Sequence, residues 1–132
     1  MNQPIFCLTN LFALINLGDY VEIHLPGHNY TGVGTRTYER LANNDQPFNR
    51  IDEGSITHDL IYLEAQGHYN RTEIVNQADR IHAFQSLSVA LSIRATPRER
   101  IDGIIVAGAL YTQATIRKLT GGADLQKLMG NA

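Results

Sequence analysis

From Tyr20 to Leu25 the chain reads YVEIHL, an alternation that sets Val21, Ile23 and Leu25 on one face and Glu22 and His24 on the other. A period of two predicts a short strand or extended arm. Turn formers follow at Pro26, Gly27, Asn29, Gly32 and Gly34, and residues 26–49 are expected to form one long loop ending in NNDQPFN. A loop of that length inside a compact domain is usually functional. Beyond it the period becomes helical. Ile56, Leu60, Ile61 and Leu63 supply an apolar stripe, with Asp52 as the expected N-cap, Ser55 and Thr57 in the opening turns, and Gly67 as the stop. A second helix is predicted from about Thr72 to Ala95, with Ile74, Ala78, Ile81, Leu87, Val89 and Leu91 on its buried side. Pro97 forces a break, because the residue before a proline avoids the helical region. A third helix is predicted from Arg98 to about Leu119, ending at Gly121-Gly122.

Composition narrows the class. The chain of 132 residues suits one domain around a single core, and 43% apolar residues are enough to pack one. Net charge is −2, and the local bias at Arg94, Arg98 and Arg100 is offset by Glu99 and Asp102. With no basic stripe, nucleic acid is not an expected partner. A lone cysteine, Cys7, excludes an internal disulfide and fits a reducing compartment or a particle interior. The apolar run from Pro4 to Gly18 is too short to span a bilayer, and no lysine or arginine precedes it as in a signal peptide. The run from Ile104 to Tyr111 is shorter still. Its apolar face at Ile104, Ile105, Ala107 and Leu110 reads first as core, with lipid contact or a homo-oligomer interface as alternatives. His24, His28, His68 and His82 share no ligand spacing and read as surface or loop residues.

The chemistry concentrates in three places. In Tyr30-Thr31-Gly32-Val33-Gly34, glycines at alternate positions let the backbone curl so that its carbonyl oxygens converge. Such a neutral cradle suits a hard cation such as Ca²⁺, provided an acid joins it, and Asp59 is the candidate. His58 and Asp59 are adjacent, so on a helix they point about 100° apart. One can face a metal while the other faces a substrate beside it. Tyr62, four residues on, shares the face of His58. A histidine base needs an orienting partner on its second ring nitrogen. Asp79, about as far beyond the turn near Gly67 to Asn70 as His58 lies before it, would come level with His58 if the two helices are antiparallel.

The order YTGVG, then PFNRIDEGSITHDLIY, then NQADR resembles the phospholipase A2 domain of parvovirus minor capsid proteins. The segment HLPGHNYTGVGT is similar to the corresponding loop of densoviruses, and the chain also looks like the wider secreted phospholipase A2 pattern. The Tyr-x-Gly-x-Gly loop is matched by Tyr30, Gly32 and Gly34, and the His-Asp-x-x-Tyr helix by His58, Asp59 and Tyr62. Pro47, Asn49 and Asp52 match the viral spacing before the His-Asp pair, and Asn76, Ala78 and Asp79 match the downstream segment. The resemblance covers about residues 22–84. It departs at Val33, where the viral loop carries proline, in a longer stretch between Gly34 and Pro47, and at His82, where an aromatic is expected. Residues 97–132 stand outside it as a C-terminal helical extension of the same single domain.

The resemblance implies a mainly α, phospholipase A2-like fold, with two antiparallel catalytic helices preceded by a calcium-binding loop and followed by an additional helix. It implies that carbonyls of Tyr30, Gly32 and Gly34 and the carboxylate of Asp59 hold Ca²⁺. His58 would activate the water that attacks the sn-2 ester of a membrane phospholipid, with Asp79 orienting the imidazole and Tyr62, secondarily Tyr69, supporting Asp79. With an unperturbed His58, activity should fall as pH drops through about 6.5. The implied setting is a virion, with the domain inside the capsid until it is exposed in a host endosome. Two alternatives stand beside this. One is a non-catalytic, calcium-stabilised membrane-binding or capsid-interaction module. The other is a metal phosphohydrolase that recruits His24 or His28 to the His-Asp pair.

Overall fold

Four helices carry most of the described residues: α1 (Thr37–Ala42), α2 (Arg50–Ala65), α3 (Arg71–Leu91) and α4 (Pro97–Leu119). A small antiparallel sheet precedes and partly interleaves with them, made of β1 (Ala13–Leu17), β2 (Tyr20–His24) and β3 (Gly32–Val33) in the order β1-β2-β3. The structure is a computed structural model and describes residues 13–17 and 20–121. Cys7 and most of the first apolar run lie outside those residues; the part described, Ala13–Leu17, is a strand that pairs with β2. The mainly α expectation holds. No helix among the described residues is long and apolar enough to cross a membrane.

Local sequence explains most boundaries. α4 opens on a reciprocal cap in which the Thr96 side chain accepts from the Glu99 amide and Glu99 reaches back to the Thr96 amide, with Pro97 in the first turn. α3 stops at Leu91, short of the expected Ala95, because the chain must reverse through residues 92–95 to bring Thr96 into that extended capping position. The N-cap of α2 is Asn49, whose side chain accepts from the Asp52 amide, and not Asp52 itself. Asp52 sits one turn inside the helix and is buried for another purpose. The segment 26–49 is not structureless either, since it contains β3 and α1.

Antiparallel packing of α2, α3 and α4 forms the body. Leu25, Ile51 and Val106 make the buried apolar centre, with Val89, Ile105 and Leu110 packed against it. α4 approaches α3 closely at Gly103, where a Cβ would meet the Ser86 carbonyl oxygen at 2.5 Å. The buried faces differ from the expected ones. Ile81 and Leu91 of α3 and Ile104 of α4 are exposed, although Ala78 and Ala107 are buried as expected. The inward stripe of α3 instead runs through Val75, Asp79, His82, Ser86 and Ala90, and that of α4 through Asp102, Gly103, Val106, Ala114 and Arg117. On β2 the polar positions Glu22 and His24 are buried, Glu22 in a pair with the buried Arg40 of α1. The reason is common to all three elements: this interior is built around buried charge pairs, so polarity does not mark the solvent side.

Candidate active site

Two contacts set the register of α2 against α3. Ser55 Oγ lies 2.9 Å from His82 Nε2, and one turn further along α2, His58 Nε2 lies 2.7 Å from Asp79 Oδ1. The α2 partner advances as the α3 partner retreats, which is the antiparallel arrangement expected of the two helices. His58, Asp79 and Tyr62 are thereby brought together. Tyr62 donates its hydroxyl to the same Asp79 oxygen at 2.6 Å, and its ring packs on His58 with centroids 4.6 Å apart.

An ionised carboxylate only accepts, so a neutral His58 bonded to Asp79 carries its proton on Nε2 and leaves the Nδ1 lone pair open. Nδ1 faces Asp59 Oδ1 across 3.4 Å, and the His58 side chain keeps 11% of its surface accessible, enough for water to reach. Burial works against the imidazolium, but the contacts with Asp59 and Asp79 outweigh it and hold His58 up at about 9. In the calcium-free chain His58 thus lies above the unperturbed 6.5. For Asp79, burial favours the neutral acid, yet His58, Tyr62 and Arg117 together hold it below the usual carboxylate range.

Asp59 is provided for differently. Its Oδ2 accepts one bond from the Thr37 hydroxyl at 3.1 Å, and its Oδ1 has the long contact with His58. Burial raises Asp59 to about 6, and His58 and Thr37 offset this only in part. An acid left short of donors, together with main-chain carbonyls, is the donor chemistry of a hard cation. The loop fits that role in one respect. The Thr31 carbonyl accepts from the Leu25 amide, so by the alternation of an antiparallel ladder the Gly32 carbonyl points off the open edge of β3. The Tyr30 carbonyl accepts only a 3.4 Å bond from Thr35, and Gly34 has a φ of 73° that suits glycine. Gly32 has a packing reason as well, since a Cβ there would lie 1.8 Å from the Ile23 carbonyl oxygen. By donor type, one acid and main-chain oxygens fit Ca²⁺.

The loop is fastened by Asp52. Its carboxylate accepts from the amides of Asn29, Tyr30 and Phe48, each at 2.9 Å, and from the Thr31 hydroxyl at 2.8 Å. Although burial alone would raise it, these bonds and nearby His28 hold Asp52 far below the usual range. His28 links this hub to α4 through a 2.8 Å bond from Nε2 to Asp102, which also accepts from Asn49 and Arg98. Arg98 in turn reaches the Pro26 carbonyl and stacks on Phe48.

Three histidines expected at the surface are buried, and only His68 is exposed. His24 bonds Thr35 and His28 bonds Asp102, so neither is available to the His58–Asp59 pair. The phosphohydrolase alternative requires three or more His, Cys, Asp or Glu side chains placed to hold a metal ion, and among the described residues no group is so placed. His82 packs against His58 with centroids 5.3 Å apart, filling the place expected of an aromatic, and burial followed by the charge on His58 pushes it down to about 3. Tyr69 is 96% exposed and stacks on His68, so it gives Asp79 no support.

Sequence reasoning missed the α4 contribution. Gln113 donates to the Tyr62 hydroxyl at 2.9 Å and to Asp79 Oδ2 at 3.3 Å. The fully buried Arg117 donates to Asp79 Oδ2 and Asn76 from one nitrogen and to Tyr62 from the other. A signal was present: Asp102, Val106, Gln113 and Arg117 recur at helical spacing, placing polar residues on the stripe that must be buried. No family model matches the chain, and comparison with curated proteins and with solved structures likewise finds no match.

Proposed function

We propose that this chain is a calcium-dependent phospholipase A2 that hydrolyses the sn-2 ester of glycerophospholipids. The observation that carries the reading is the 2.7 Å bond from His58 Nε2 to the buried Asp79, which leaves Nδ1 open beside the poorly compensated Asp59. It is supported by the ordered resemblance of the glycine loop, the His-Asp helix and the downstream aspartate to the parvoviral capsid domain. Carbonyls of Tyr30, Gly32 and Gly34 and the Asp59 carboxylate would hold the ion. When bound, Ca²⁺ supplies charge to bind the lipid phosphate and to polarise the ester carbonyl.

The chain's own groups do the rest. His58 Nδ1 accepts a proton from the water that attacks the ester carbonyl, and the tetrahedral adduct then expels the lysophospholipid alkoxide, which takes up that proton. Asp79 holds the imidazole in the tautomer that can accept and stabilises the imidazolium once formed. No acyl-enzyme forms. In the setting the resemblance implies, the domain rides inside a virion and opens an endosomal membrane during entry.

The test is fatty-acid release from mixed phospholipid vesicles. Release at millimolar calcium, lost with chelator and in Asp59→Asn, supports the reading; release undiminished by chelator removes the metal from it. The second reading, a non-catalytic calcium-stabilised module, draws on Gly32, whose missing side chain is explained by packing alone. Lipid hydrolysis by the wild type and not by His58→Ala rejects it.

A further inference from the structure

We infer that Arg117, with Gln113 beside it, is a positioning residue for the His58–Asp79 pair, so that α4 is part of the catalytic machinery; the inference rests on the phospholipase reading. The argument starts from how the Asp79 carboxylate is divided. Oδ1 takes His58 at 2.7 Å and the Tyr62 hydroxyl at 2.6 Å. Oδ2 takes Arg117 at 2.7 Å and Gln113 at 3.3 Å. A carboxylate held at only one oxygen can turn about its Cβ–Cγ bond. With both oxygens held, its plane is set, and so is the direction in which Oδ1 meets the imidazole.

Arg117 does more than neutralise a charge. The guanidinium bonds Asp79 and Asn76 through Nη1 and the Tyr62 hydroxyl through Nη2 at 2.7 Å. Arg117 and Gln113 thereby occupy the acceptor side of the Tyr62 hydroxyl, so its proton is left to point at Asp79 Oδ1. A planar fork reaching three partners cannot be copied by an ammonium, which carries the same charge as a point. The Arg117 and Asp79 side chains are both 0% exposed, so water cannot stand in for either partner. None of these α4 bonds involves Asp59 or residues 30–34, so the inference separates cleanly from calcium binding.

The variants that test it are Arg117→Lys and Arg117→Met, each checked for cooperative melting and assayed at saturating calcium on phosphatidylcholine vesicles. The first readout is kcat against KM. The second is the low-field proton NMR signal of His58 Nε2–H, which reports the bond to Asp79 whether or not the chain turns over lipid. We expect kcat to fall about 10²-fold in Arg117→Met and about tenfold in Arg117→Lys, the scale of a small misplacement at a reacting centre. KM and half-saturating calcium should stay put, and the low-field signal should broaden or shift upfield in both variants. If Arg117→Met does not fold, Arg117→Lys decides. A folded variant with wild-type kcat and an unchanged signal overturns the inference. An inactive wild type with a low-field signal that still depends on Arg117 overturns the phospholipase reading and leaves the positioning intact.

Discussion

Asp52 and Asp59 stand two turns apart on α2, the first buried and the second partly so, and they are treated in opposite ways. Asp52 receives four donors and is held far below the usual carboxylate range. Asp59 receives one hydroxyl and the edge of an imidazole and is pushed up to about 6. A carboxylate whose lone pairs are taken up by the chain's own donors, as in Asp52, has none left for a ligand. One left short of them has capacity for something not supplied by the chain. The difference separates the part of the polar interior that builds the loop from the part that can act.

The comparison breaks most sharply under substitution of the groups themselves. His58→Ala should lower vesicle hydrolysis by roughly 10³-fold or more, while the chain still melts cooperatively. A variant that keeps a tenth of the activity would remove His58 as the base. Asp52→Ala should act on the fold instead. It leaves three backbone amides and the Thr31 hydroxyl without their acceptor, a loss of about 3 kcal/mol or more by denaturant titration. A loss under 1 kcal/mol would mean that Asp52 is no anchor.

Calcium should sharpen the contrast at the other acid. Saturating the loop to about 100 times its dissociation constant should stabilise the chain by about 2.7 kcal/mol, read as a rise in melting temperature that chelator reverses. Asp59→Asn should remove that rise. An equal rise in that variant would place the ion elsewhere.

Acidity gives a smaller effect of known sign. The unfolded chain protonates His82 below about 6.5, but burial keeps the folded residue neutral until about 3. Its contribution to stability is therefore complete above 6.5 and is lost progressively as pH falls toward 3, on the order of 2–3 kcal/mol by pH 4.5 or so. His82→Gln should flatten that part of the stability-against-pH curve, and an unchanged slope would reassign it. His58 runs the other way. The stability from its proton is present below 6.5 and is lost as pH rises through about 9 in the calcium-free chain. The smallest change expected is Tyr62→Phe, which removes one of the two bonds to Asp79 Oδ1 and should lower kcat by about tenfold or less, near 1 kcal/mol.

Much of the site was readable in one dimension, and particular residues show why. Helical spacing placed His58 and Tyr62 on one face and put Asp79 level with them, because an antiparallel pair with a short turn has few registers to choose from. Pro97 marked the start of α4 by local chemistry alone, and the structure adds the Thr96–Glu99 cap. The polar interior was hidden. Glu22, His24, His28 and His82 look like surface residues until Arg40, Thr35, Asp102 and Ser55 are found against them.

The sequence by itself determined the strand β2, the three long helices, and the order of glycine loop, His-Asp helix and aspartate helix, since these follow from periodicity and breakers acting over a few residues, while β1, β3 and α1 carried no such signal. The tertiary structure alone decided that Asp52 anchors the loop instead of capping α2, and that α4 returns Arg117 and Gln113 to Asp79 from 38 and 34 residues away. The physical reason is that a buried charge is stable only beside its partner. The partner's distance along the chain carries no information about its distance in space.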